Sequence, residues 1–82
     1  SLKIYNSNIF DNRIGLAVKD DSCLFLNGEN EFNDNDFDIL IYKKKNNYGS
    51  GTLINNSMKN NLIIEKDEKA KIIENFDEYK CF

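Results

Sequence analysis

Two stretches of this chain repeat each other at a fixed separation. Ile9–Val18 aligns without a gap on Phe32–Ile41, every position displaced by 23 residues. Apolar residues recur at Ile9/Phe32, Ile14/Phe37, Leu16/Ile39 and Val18/Ile41, and an asparagine recurs at Asn12/Asn35. A repeat of this length marks stacked supersecondary units, none of which can bury its apolar face alone. Inside each unit the apolar spacing is two rather than 3.6, so the units are made of strands.

The first unit reads as three short strands. Leu2-Lys3-Ile4 alternates apolar and polar, Tyr5 to Asn8 turns the chain, and Ile9-Phe10 starts a second strand. Asn12 sits at a corner, and Ile14, Leu16 and Val18 alternate along the third strand. The second unit repeats this order with Leu24/Leu26, Phe32, a corner at Asn35, and Phe37/Ile39/Ile41. Its first strand is displaced by 22 residues, which places a one-residue insertion in the Asn27–Asn30 turn, where insertions are tolerated.

After Tyr42 the pattern breaks into a polar, glycine-containing loop, residues 43–51. Thr52-Leu53-Ile54 resumes a strand, and Met58 and Asn61 keep the spacing of Ile9/Asn12 and Phe32/Asn35. Strict continuation then points Glu65 inward, at the position of Leu16 and Ile39. A one-residue slip puts Leu62 and Ile64 inward instead and removes the conflict. Beyond Lys66 two readings stand. Ala70-Lys71-Ile72 matches Leu24-Phe25-Leu26 as a last partial coil, or residues 67–79 form a helix with Ala70, Ile73 and Phe76 on one face. The strand reading is favoured, and either lets the tail cover the last coil.

These features describe an all-β chain wound as a parallel β-helix of about three coils. Coil 1 spans about 2–22, coil 2 about 23–51, coil 3 about 52–69, and a tail, 70–82, is placed to cap the end. Each strand would pair in parallel with its equivalent one turn later, ~4.8 Å away. Leucine-rich repeats have a similar length but need a leucine and asparagine spacing that this chain lacks. Asn12, Asn35 and Asn61 are the expected structural corners, since asparagine tolerates positive φ better than other non-glycine residues. Asn12 and Asn35 are expected there, one coil apart, with side chains stacked as in the ladders of cross-β structures.

The form Ser-x-Ile-x-x-Asn-x-Ile, carried by Ser7 to Ile14, resembles the coils of right-handed parallel β-helix proteins of the pectin-lyase-like superfamily. Asn30 to Phe37 follows it with Asn30 in place of the serine. The resemblance covers roughly residues 2–64. It implies the fold, a right-handed parallel β-helix (β-solenoid), and not a function, because such coils occur in lyases, hydrolases, adhesins and inert spacers.

Composition narrows the partners. The net charge is −3 over 82 residues, with no basic face, which argues against nucleic acid or an anionic membrane. No apolar run approaches the roughly 20 residues of a membrane span. Asp34, Asp36 and Asp38 imitate the start of a calcium loop, but Ile39 stands where glycine is required and Lys45 where glutamate is required. All three are expected to face solvent, and no metal is assigned. Asp20-Asp21 resembles the paired acids of β-helix glycosidases, but the chain has no histidine and only Arg13 as arginine, so no catalytic residue and no cofactor is assigned. Tyr42, Lys43, Lys44, Lys45 and Tyr48 form the one basic-aromatic cluster, suited to an anionic sugar or a protein partner; the plainer alternative is a solvated loop. Cys23 and Cys81 permit one disulfide or two buried thiols, and Asn55-Asn56-Ser57 matches the N-glycosylation pattern.

The expected function is non-catalytic: a solenoid segment of a larger secreted or cell-surface bacterial protein, structural or binding carbohydrate or another protein. The alternative is a piece of a polysaccharide lyase or glycoside hydrolase whose catalytic coils lie elsewhere. An open apolar end lined by Leu2, Ile4, Ile9 and Leu16 further implies that the isolated segment self-associates through its N-terminal coil or is poorly stable alone, while in the parent protein further coils would continue that face.

Overall fold

The computed structural model describes residues 2–44, 49–57 and 61–74. Every regular element among them is a strand: β1 (Leu2–Tyr5), β2 (Asn8–Phe10), β3 (Ile14–Lys19), β4 (Cys23–Gly28), β5 (Glu31–Asn33), β6 (Phe37–Tyr42), β7 (Thr52–Ser57), β8 (Ile64–Lys66) and β9 (Lys71–Glu74). They form three sheets, ordered β1-β4-β7-β9, β2-β5 and β3-β6-β8. Every pairing is parallel. Hairpins cannot join parallel neighbours. Here the chain passes through the other sheets before returning to pair with itself, so the all-β architecture with parallel sheets is compatible with a β-solenoid.

The repeat sets the register. Ile9 pairs with Phe32, and Ile14, Leu16 and Val18 pair with Phe37, Ile39 and Ile41. Leu2 and Ile4 pair with Leu24 and Leu26, so the extra residue falls between β4 and β5. The slip in the third coil is also present: Ile39 pairs with Ile64, which leaves Glu65 outside and turns Leu62 and Ile64 to the core. Past Lys66 the chain is extended over β9, and residues 75–82 lie outside the description. The register of β9 differs from the expected one by two residues. Ile72 aligns with Leu53 and hence Leu24, not with Leu26. A shift of two keeps every side chain on its own face, so alternation alone could not tell the two apart.

The core is a column of aliphatic side chains between the sheets. Val18, Leu24, Leu26, Ile39, Ile41 and Leu53 are buried together, with Ile4, Leu16, Phe32, Leu62, Ile64, Ala70 and Ile72 packed around them. Each fully buried aliphatic side chain contributes roughly 1.5–3 kcal/mol against an exposed reference. The first sheet is also covered on its other face. By alternation Cys23 and Ile54 point away from this cluster, yet both are buried. Cys23 is disulfide-bonded; Cys81, the other cysteine of the chain, lies outside the described residues.

The corners follow one rule. The residue that enters the left-handed region is repeated at equivalent positions: Asn6 (φ 46°) just after β1 and Gly28 (φ 77°) at the end of β4, then Asp11 (φ 59°) after β2 and Asp34 (φ 58°) after β5. Asp20 and Asp21 (φ 48° and 63°) turn the third corner of the first coil. Asn12 and Asn35 are not among the positive-φ residues, which corrects the expectation for them. Aspartate, directly before each asparagine, bends the backbone, since its short polar side chain also tolerates that region.

Asparagine has the other task. Asn35 Oδ1 accepts the Asn12 N–H at 2.9 Å, and its Nδ2 donates to Ile9 O at 3.0 Å. Asn30 does the same one corner earlier: its Oδ1 accepts the Ser7 N–H at 2.9 Å, and its Nδ2 donates to Ile4 O at 3.3 Å. Both are buried and tie coil 2 to the backbone of coil 1, where β-ladder bonds stop. An unmet buried backbone group costs about 1–3 kcal/mol, which is what these two amides prevent. The stack therefore runs from side chain to backbone, not from side chain to side chain.

Close approach of coils also fixes a glycine. A Cβ on Gly51 would stand 2.8 Å from Val18 O and 2.6 Å from Val18 Cγ1, so only a hydrogen lets coil 3 start here.

Candidate functional site: the aspartate corner and the lysine segment

The third corner gathers the acids and lysines that the sequence singles out. Lys43 and Lys44 follow directly on β6. The Lys44 N–H donates to Asp20 Oδ1 at 2.7 Å, and the Lys43 N–H donates to Asp67 Oδ2 at 2.9 Å. Asp21 Oδ1 accepts the Gly49 N–H at 3.0 Å, and the Asp21 N–H reaches Gly49 O and Ser50 O. One backbone segment of coil 2 is thus held by carboxylates from coil 1 and from coil 3.

This arrangement decides what the acids can do. Asp20 and Asp21 both occupy the left-handed region and spend carboxylate oxygens on backbone N–H groups. A glycosidic general acid and its partner need two carboxyl groups facing one bond across several ångströms. Adjacent turn residues bonded to loop amides do not present that geometry. Asp67 belongs to the same corner. Ser50 Oγ beside it holds its carboxyl below the ordinary value of 3.8, helped by the N–H groups of Lys69, Lys43 and Ala70 and opposed by desolvation. Among the described residues the buried Ser50 hydroxyl meets full hydrogen-bond geometry with no group, so its bond to Asp67 is a weak one.

Of the basic-aromatic cluster, Tyr42, Lys43 and Lys44 are described; Lys45 and Tyr48 lie outside the described residues. Tyr42 is half-buried at the end of β6, opposite Lys19. Lys43 and Lys44 have bound backbones and exposed side chains. A fixed backbone with free ammonium groups suits weak, charge-directed contact with an acidic surface, but acids Asp20, Asp21 and Asp67 share the corner and reduce its net charge.

The remaining candidates separate. Asn12 is exposed, and its Nδ2 turns back to Phe10 O at 3.0 Å. Asn35 is buried in the coil-to-coil tie. Asn61 falls level with Asp36 in the register of β6 and β8, one residue past the asparagine column, and is exposed. Met58 lies outside the described residues.

Asp34 and Asp36 are exposed, but Asp38, expected outside on its strand, is 4% exposed. It accepts from Asn35 Nδ2 at 3.1 Å and from the Ile63 N–H at 2.8 Å. Gly15 lies opposite it in β3, where a Cβ would come within 2.6 Å of the Asp38 backbone carbonyl oxygen, so the two strands pass close here. Sequence alternation missed Asp38 as a tie to the Ile63 amide, because the period of two places it on the outer face of its strand. Asn55 of the glycosylation pattern is 2% exposed within β7, where a glycosyl carrier could not reach it in the folded chain.

Among the described residues no group of three or more His, Cys, Asp or Glu is placed to hold a metal ion. Nor is any helix there long and apolar enough to cross a membrane. No family model, no curated protein and no solved structure matches this chain.

Proposed function

We propose that this chain is a non-catalytic segment of a right-handed parallel β-helix, of the pectin-lyase-like type, in a secreted or cell-surface bacterial protein. Its task is to hold a rigid, regularly spaced side surface, with Tyr42, Lys43 and Lys44 as the place where an acidic glycan or protein would rest. The observation that carries this reading is the pair of asparagine ties, Asn30 and Asn35. Both reach the coil beneath by the same two bonds, to the N–H 23 residues back and to the carbonyl 26 residues back. Such polar staples add shape without adding a reactive group. The disulfide at Cys23 supports an oxidising compartment, since such bonds are rare in the cytosol of mesophiles.

The test is direct. Incubated with polygalacturonate or alginate, the protein is expected to release no unsaturated or reducing ends. Retention on immobilised polygalacturonate is expected to fall several-fold when Lys43→Ala and Lys44→Ala are combined. Turnover that vanishes on Asp20→Ala or Asp21→Ala would replace the scaffold reading with the lyase or hydrolase one.

A further inference from the structure

The outer side of the first sheet is sealed at one place. Phe25 in β4, Ile54 in β7 and Ile73 in β9 stand in one outward row of the register. Ile54, in the middle, is 0% exposed, while Phe25 and Ile73 on either side are half-buried. Thr52 and Asn56, its outward neighbours along β7, are half-buried too. Strand pairing alone does not seal such a position. Leu40 holds the equivalent place in the third sheet, outward on the middle strand between Ala17 and Glu65, and is only half-buried. Chain must therefore lie across β7 at Ile54.

A covalent bond fixes one end of what lies there. Cys23 also points outward, is 4% exposed and is disulfide-bonded. Cys81 is the only other cysteine of the sequence, so the bond joins β4 to Cys81. The other end is Glu74, the last residue of β9. Glu74 stands level with Asn55 and Leu26, and Cys23 stands level with Thr52, three residues back. Two strand spacings separate β9 from β4, roughly 10 Å, and three residues along a strand add roughly 10 Å at right angles. The straight path is then about 14 Å and crosses β7 midway, between Leu53 and Ile54. Of these two, Leu53 is in the core and Ile54 is the outward one. The seven residue steps from Glu74 to Cys81 reach at most roughly 25 Å, which covers that path and leaves slack to clear the side chains beneath. The stretch also carries Phe76 and Tyr79, apolar partners for the row of Phe25, Ile54 and Ile73.

We propose that residues 75–81 dock across the outer face of the first sheet as a strap, seated on Ile54 and locked by a Cys23–Cys81 disulfide. The lock closes nearly the whole of coils 2 and 3 into one covalent ring. Such a bond stabilises chiefly by restricting the unfolded chain, and more so for a long loop. The strap also assigns the sides of the molecule: this face is taken by the chain itself, and the corner with the exposed side chains of Lys43 and Lys44 stays open. The inference rests on the pairing of the first sheet and on the disulfide, not on the scaffold reading above, so either can fail alone.

Tryptic digestion of the intact chain without reductant is expected to yield the peptide Asp20–Lys43 linked to Cys81-Phe82. Dithiothreitol, giving up two electrons and closing to its own cyclic disulfide, is expected to release the two as free thiols. In the methyl-labelled chain, nuclear Overhauser contacts are expected between the Ile54 methyls and residues 76–80. Cys81→Ser is expected to lose those contacts while the Leu24–Leu53 contacts of the core remain. Two free thiols before reduction, Ile54 contacts to residues 45–48 or 58–60 in place of 76–80, or Ile54 contacts kept in Cys81→Ser each overturn the proposal. If the variant loses the Leu24–Leu53 contacts as well, it has unfolded, and the Ile54 contacts of the parent chain decide alone.

Discussion

Coils 1 and 2 carry nearly the same pattern and experience different surroundings. Leu16 and Ile39 occupy the same column, yet Ile39 is 0% exposed and Leu16 is only half-buried. Asn12 and Asn35 occupy the same corner, yet Asn35 is buried and holds the coil below, while Asn12 bonds its own coil in solvent. The difference teaches that a repeat assigns position, and the number of neighbouring layers assigns energy. A residue with a coil on each side loses water on both; one at the end of the stack loses it on one.

That comparison should be widest in the core. Ile39→Ala is expected to cost about 2–5 kcal/mol, because the surrounding side chains relax only partly around the gap. Leu16→Ala, already facing water, is expected to cost about half as much. Urea unfolding of the two variants checks the ratio; equal losses would mean that coil 1 is covered in solution.

The corner pair gives the next effect. Asn35→Ala removes the acceptor of the Asn12 N–H and a donor to Asp38, and should cost about 1–3 kcal/mol. Asn12→Ala should stay within about 0.5 kcal/mol, as surface changes do. Comparable losses in thermal or chemical denaturation would show that Asn12 carries a bond beyond the one to Phe10 O.

Acid sharpens the third corner. The Asp67 carboxyl is held below its ordinary value of 3.8 in the folded chain. A depressed folded-state value contributes stability that is complete above the unfolded value and is lost as pH falls through the folded one. Stability followed below pH 3.8 should therefore decline less steeply in Asp67→Ala than in the parent chain.

The smallest effect is one that should not distinguish the coils. Asp11→Gly and Asp34→Gly relieve the same left-handed backbone, at φ 59° and 58°. Each should change stability by less than about 1 kcal/mol, and by the same amount, because backbone strain is local and independent of layer. A clear inequality in their unfolding midpoints would show that one corner is held by its neighbours.

Much of the architecture could be read from the chain because the apolar alternation has a period of two and the repeat a length of 23. Together they set which side chains face inward and which strand lies over which. The slip that brings Ile64 over Ile39 was legible for the same reason, since the alternative buried Glu65. The site was less legible. The lysines and acids of the third corner were visible as residues, but the carboxylates spend themselves on backbone amides 24 to 28 residues distant.

The sequence by itself thus determined the strands of the repeat, the inward face of their apolar residues and which of those strands pair, because these depend on spacing along the chain. Tertiary structure alone decided which of two adjacent polar residues bends a corner, Asp34 rather than Asn35, since both tolerate the required φ. It also decided that Asp38 is buried, that Asn55 is sealed inside β7, and that Ile72 lies over Leu53. Each of those outcomes depends on what the neighbouring strands place opposite a residue: for Asp38, the Asn35 amide and the Ile63 N–H that its carboxylate accepts from; for Ile72, a register two residues further along. Periodicity along one strand contains no information about that neighbour until the coils are stacked.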